Sequence, residues 1–276
     1  MRFKIVGDSC CDMTAEELNK GYFYSVPLIL NVGGVEVVDD ASFDQARFIH
    51  MMEACPDSPK SSCPSPDAFM RGFDGAEEIY VVTLSAKLSG SYNSALLARQ
   101  IYQEEHPDVR IHVFDSKSAA AGEHLVCGRI EECLLAGQDF DSVVESVERY
   151  IEDMQTVFVL ENLDVMRKNG RLSKLQSVVA NVLNIKLILH GVDGEIHQLD
   201  QARGMNKALN RLLYFIEKGE YDVNRRVEIT QCCSWERCMN VRKILMEQFH
   251  FKDVRILNAG GVSTMYGNKG SVIVAF

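Results

Sequence analysis

The stretch VVTLSAKLSGSYNSALLARQ, residues 81–100, reads as a strand that hands over to a helix. Its opening residues are apolar, and from about Tyr92 to Gln103 the pattern takes on helical spacing. Between the two stand Thr83, Ser85, Ser89, Gly90, Ser91 and Ser94. An ordinary turn needs one or two such residues, so the surplus points to a loop that holds something. In an open α/β sheet, ligands sit beyond the carboxyl ends of the strands, where such loops converge. Ser89 or Ser91 is placed to cap the helix, and Gly90 leaves room for a ligand against the backbone.

The same alternation runs through the chain. Strand-like runs occur at 3–9, 25–30, 78–84 and 109–116, with helical segments between them and two consecutive helices after the last. Pro27 marks the second run as an edge or an irregular start, and Thr14 is placed to cap a short helix ending at Gly21. Beyond about residue 155 the pattern restarts with strands at 156–162 and 185–199, the latter a hairpin around VDGE. A helix at 206–219 and a β-α-β unit over 225–257 follow, and a strand at 270–276 closes the chain. This order predicts an α/β fold of two lobes, residues 1–155 and 156–276, with parallel or mixed sheets covered by helices and a ligand between the lobes. No Pro/Gly/Ser-rich linker separates them, so the lobes are expected to pack closely.

Composition narrows the function. The formal net charge of −10 argues against nonspecific nucleic-acid binding, which needs clustered Lys and Arg. Neither a secretory leader nor an apolar run of membrane-spanning length is visible, so a cytoplasmic protein is expected. The nine cysteines are odd in number, contain no CxxC and include two adjacent pairs, a poor arrangement for zinc. Reduced thiols and no metal site are expected.

Two further polar turns share the design of 83–94: VGDSCCD (6–12) after the first strand, and the proline-punctuated SPKSSCPSPD (58–67). Hydroxyls and exposed amides at a helix start suit an anion. The chain has no GxxxxGK[ST] and no GxGxxG after a strand, so neither familiar nucleotide site is expected. A serine hydrolase acting through Ser9 or Ser89 would need a base, and no motif supplies one. A binder of a small anionic metabolite at the same loops is the other alternative.

Taken together, the motifs resemble the DegV family. KIVGDSCCDMTAEE is similar to the KIVTDSSADLP-like opening of that family, with VPL at 26–28 in the matching place. PKSSCPSP (59–66) resembles PKTSQPSP, TLSAKLSGSYNSA (83–95) resembles LSSxLSGTYxSA, and VFDSKSAAAG (113–122) resembles VIDSKxxSxG. LDVMRKNGRLSK (163–174), LNIKLIL (183–189) and QARGMNKAL (201–209) are similar to LxxLxKGGRIS, LxIKPIL and KxRGxxKA. The likeness runs in order from residue 3 to 276.

The resemblance implies a protein that is not itself an enzyme. It would bind one long-chain fatty acid of the palmitate, stearate or oleate class in a buried tunnel, with no cofactor. Its carboxylate would meet Ser61, where the family usually has Thr, and Ser89, with Ser62, Gly90 and Ser9 as neighbours. Some members present that carboxylate to a separate ATP-dependent subunit of a bacterial fatty acid kinase. Arg171 and Arg203 match arginines that would face the headgroup or partner, although Arg203 reads equally as a surface salt-bridge residue. One departure stands out. Where the family has THTGPGALG, this chain has STMYGNKGSVI (263–273), which puts Tyr266 at the His position and Lys269 at the Pro. A phenol still donates a hydrogen bond but cannot replace an imidazole in proton transfer near neutral pH.

Overall fold

The computed structural model describes residues 2–172 and 184–276. Residues 173–183, which include the end of the 163–174 motif and the start of the 183–189 motif, lie outside the described residues.

The first sheet is parallel. Its strands are β1 (Phe3–Asp8), β2 (Phe23–Val26), β6 (Glu78–Thr83) and β7 (Arg110–Asp115), in the order β2-β1-β6-β7. Side chains alternate across it with the period of a strand. Val6, Ile79 and Val81 pack under α3 (Pro66–Phe73) and α4 (Ser91–Glu105), while Ile5, Tyr80 and Val82 pack under α5 (Ala121–Leu135) and α6 (Phe140–Asp153). The short α1 (Ala15–Asn19) starts on a complete capping box of Thr14 and Glu17.

The run expected as one strand over 25–30 is two. Pro27 lies at the break between β2 and β3 (Ile29–Val32), and β3 leaves the parallel sheet for a separate antiparallel one. That small sheet, ordered β4-β3-β5, adds β4 (Val35–Val38) and β5 (Lys60–Ser62). The polar stretch 58–67 therefore contains a strand, pinned by pairing Ser61 with Leu30. Helix α2 (Gln45–Ala54) connects β4 to β5.

The second sheet is mixed and six-stranded, ordered β10-β9-β8-β13-β11-β12. It comprises β8 (Thr156–Val159), the hairpin β9 (Ile185–Val192) and β10 (Glu195–Arg203), β11 (Arg226–Gln231), β12 (Asp253–Asn258) and β13 (Val272–Ala275). The expected β-α-β unit is present as β11, α9 (Trp235–Glu247) and the parallel β12. One face packs under α9 and α8 (Met205–Lys218) through Val157, Val159, Val227 and Val274. The opposite face, with Phe158, Leu189 and Ile273, turns toward the first sheet. Two short helices, α7 (Asp164–Lys168) and α10 (Gly261–Gly267), complete the list and had no clear periodic signal.

Helix α5 joins the two halves. It packs on β1 and β6 of one sheet and on β11 and β13 of the other. Within this contact His124 sits between Glu17 of α1 (2.9 Å) and Glu228 of β11 (2.6 Å). Burial alone would lower the histidine's proton affinity, but the two carboxylates, Glu228 foremost, raise it well above its ordinary value. The two carboxylates thus favour the charged form of His124, which links three elements. Burial works against Glu17 as well, yet its contacts with His124 hold it down to about 2.

Candidate functional site

A narrow cavity lies between the two sheets. Its volume is ≈ 100 Å³. Strand β8 explains its length: Thr156 and Phe158, with Leu160 just past the strand, project from one face and all line it. Four residues of strand span about 13 Å. Leu28, Leu84, Leu88, Ile196, Val262 and Ile273 complete an apolar wall.

Polar groups gather at the end near Leu160, Met166 and Arg171. Ser61 Oγ lies 3.0 Å from Tyr266 Oη. The Arg171 guanidinium stands 5.8 Å over the Tyr266 ring, and its Nε donates to the Leu88 carbonyl at 3.2 Å. Ser89 Oγ accepts from Ser91 N at 3.2 Å, which leaves its own proton to donate elsewhere. Ser61, Ser89, Arg171 and Tyr266 thus line one cavity. Donors of this kind satisfy a desolvated carboxylate.

The other expected site residues fall elsewhere. Ser62 is exposed and outside the cavity lining. Gly90 is the residue preceding α4, exposed, with φ −76, so no left-handed conformation requires a glycine there. Ser89 Oγ takes the first N–H of α4, that of Ser91, although the N-cap position itself is Gly90; Ser91 Oγ donates to Asp8 at 2.6 Å. Ser9 is buried, donates to Asp39 at 2.9 Å and accepts from Leu28 N at 3.0 Å. Its hydroxyl ties the first polar turn to β3 instead of facing the cavity. Arg203 is exposed at the end of β10, paired in register with Ile185.

Three aspartates organise the loops from behind. Asp8 accepts from Cys10 N, Leu84 N and Ser91 Oγ, so the end of β1 fixes the Ser89 loop. Asp39 accepts from Gly261 N, Val262 N and Ser9 Oγ, and Asp12 accepts from Gly260 N and Ser263 Oγ. These bonds hold the start of α10, which carries Tyr266. A Cβ on Gly261 would lie 2.6 Å from Asp39 Oδ1, so only glycine permits the approach. Burial raises Asp8 to about 6 and Asp12 to about 8, against hydrogen bonds that favour the charged forms.

Sequence reasoning passed over two contributors as polar site loops. The turn after β7 brings Lys117, Ser118, Ala119 and Ala120 to the lining, with positive φ at Lys117 (51) and Ala120 (53). The AGG run at 259–261, a helix start with two glycines, is the signal that marks the α10 approach. Among the described residues no group of His, Cys, Asp and Glu could hold a metal, and all nine cysteines are free thiols. No described helix is long and apolar enough to cross a membrane.

The model of the DegV family, described as an uncharacterised protein, matches residues 2–276. The chain belongs to the DegV family. A DegV domain-containing protein of Streptococcus pneumoniae is 36% identical over 280 residues, covering 100% of this chain and 99% of that one. A DegV-family crystal structure from Ruminococcus gnavus, refined with vaccenic acid, matches with TM-score 0.96 and 42% identity over 99% of both chains. The Fatty Acid Kinase (Fak) B3 protein of Streptococcus pneumoniae, loaded with linoleic acid, matches with TM-score 0.93 and 35% identity over 100% of this chain and 99% of that one. A DegV protein from Eubacterium eligens, loaded with heptadecanoic acid, matches with TM-score 0.93 and 28% identity over 99% and 98%.

Proposed function

We propose that this protein binds one long-chain fatty acid in the cavity between its sheets and does no chemistry on it. The observation that carries the reading is the cavity's shape: long, narrow and apolar, with hydroxyls and a guanidinium at one end. Each methylene removed from water contributes about 0.8 kcal/mol, so a dozen would contribute on the order of 10 kcal/mol before ordering costs. Ser61 and Ser89, with Tyr266 and Arg171 beside them, hold the carboxylate. The bound acids of the related structures support a fatty acid as the ligand.

The division into residues 1–155 and 156–276 is part of the proposal, supported by two sheets whose strands come from 3–115 and 156–275. So is the second half of the function, presentation of the carboxylate to a separate ATP-dependent kinase subunit, as the likeness to Fak B3 suggests. Tyr266 at the family's His position leaves binding donors in place and removes the imidazole there.

The alternatives fit the geometry less well. Ser9 is bonded to a buried aspartate, and among the described residues Ser89 has no basic partner, so neither resembles an activated nucleophile. A small polar anion would leave the long apolar wall unfilled. Displacement of a fluorescent fatty acid tests the reading. Palmitate, stearate or oleate should compete, and citrate or acetate should not; competition by the small anions alone would reject it.

A further inference from the structure

The cavity's other end closes on hydroxyls, although its wall is apolar. Ser118 Oγ and Thr156 Oγ1 lie 2.7 Å apart at the start of β8. Register places this end under the β9–β10 hairpin: Val157 pairs with His190, and Gly191 and Gly194 of the hairpin also line the cavity. The Ser85 hydroxyl fastens the hairpin tip by donating to Gly194 O at 2.6 Å.

This end is only one layer thick. Lys117, Ser118, Thr156 and Gly191 line both the cavity and a crevice on the far side, with a volume of ≈ 290 Å³. The crevice is polar, with Glu152, Gln155, His190 and Asp193, and Lys117 Nζ reaches Glu152 there at 2.5 Å. Helix α5 presses on the hydroxyl pair from behind. A Cβ on Gly122 would stand 2.0 Å from Ser118 Oγ and 2.8 Å from Thr156 Oγ1, so the pair has room only because that residue is glycine.

The pair also has a donor in reserve. Two hydroxyls bring two protons, and their mutual bond uses one; neither hydroxyl has another partner among the described residues. A plain methyl terminus offers that proton nothing, and apolar side chains would close the cavity equally well. We infer that Ser118 and Thr156 form a second polar subsite, which takes an acyl chain carrying a hydroxyl at or next to its terminus. The chain's oxygen accepts the reserve proton.

This inference rests on the fatty-acid reading, and the test separates the two. Unsubstituted acids from dodecanoic to octadecanoic are titrated against their terminally hydroxylated counterparts, on the unaltered protein and on Ser118→Ala/Thr156→Val. The unaltered protein should bind the best-fitting hydroxylated acid within about threefold of its plain counterpart. The double variant should keep the plain acid and reject the hydroxylated one by about tenfold more, because the buried hydroxyl then lacks a partner. Thr156→Ser should restore the original ratio. Equal ratios in all three proteins would overturn the subsite while leaving fatty-acid binding intact. Failure of the unaltered protein to bind any plain acid would overturn the fatty-acid reading and this inference with it. If the double variant loses the plain acids, Ser118→Ala alone is read by the same ratio.

Discussion

Along the cavity, Phe158, Leu160, Ile196 and Ile273 present hydrocarbon to one another; behind it, Asp8, Asp12, Asp39, Glu123 and His124 are packed almost without water. The first region is narrow and apolar. The second is specified bond by bond. Asp39 alone gathers three donors from two distant segments. Glu123 has no partner for either carboxylate oxygen among the described residues, and burial beside Asp8 raises its proton affinity well above the ordinary range. Affinity therefore belongs to the apolar wall, while the buried acids keep the hydroxyl loops in place. Binding strength and binding geometry are built from different residues.

The contrast breaks most severely at Asp39. Replacing it with Ala orphans two buried backbone donors and Ser9 Oγ at about 1–3 kcal/mol each. Asp39→Ala should lose about 3–5 kcal/mol in urea denaturation, and Asp39→Asn distinctly less. Equal losses for the two would mean that the hydrogen bonds matter little.

Shortening the ligand probes the other region. Affinity should fall about fourfold for each methylene removed, corresponding to about 0.8 kcal/mol. A competition series that stays flat with chain length would move the binding energy from the wall to the carboxylate end.

The buried acids also set a pH dependence. Asp8 and Asp12 have folded values of about 6 and 8 against an ordinary 3.8, so the folded state binds more protons through that range. Stability should therefore fall as pH rises from about 4 to about 8. His124, raised well above 6.5, acts in the same sense: its contribution is full below 6.5 and is lost as pH rises through the folded value. Glu17, lowered to about 2, acts oppositely, its contribution disappearing below about 4.5. The melting temperature should peak under mildly acidic conditions and drop by several degrees toward pH 8, and Asp12→Asn should flatten the slope. A melting temperature that rises steadily to pH 8 would contradict the assignment.

The smallest expected effect is at the headgroup. Ser61→Ala or Tyr266→Phe each removes one member of a hydroxyl pair and should weaken binding by about 1 kcal/mol, roughly fivefold, with stability unchanged. A loss of a hundredfold would mean that the carboxylate end, rather than the wall, dominates.

How much of this was legible in the sequence follows the same division. The alternation of β1, β6 and β7 with their helices, and the hairpin at 185–203, have periodic signals, so fold class and element order could be read directly. The hydroxyl loops at 58–67 and 83–94 announced themselves by composition, and Ser61 and Ser89 do line the cavity. The bonding of Ser9 was not legible, because Asp39, thirty residues away, captures its hydroxyl. Long-range pairings such as Asp12 with Gly260, or His124 with Glu228, carry no local pattern. Pro27 signalled an irregularity in the second run, but not that the chain changes sheets there.

The central claim is that the cavity holds a fatty acid, and native mass spectrometry of the purified protein, followed by solvent extraction and lipid analysis, addresses it most directly. The account predicts one long-chain acid per chain, released on denaturation and replaced by added palmitate or oleate. A protein that emerges empty and takes up neither acid would contradict it.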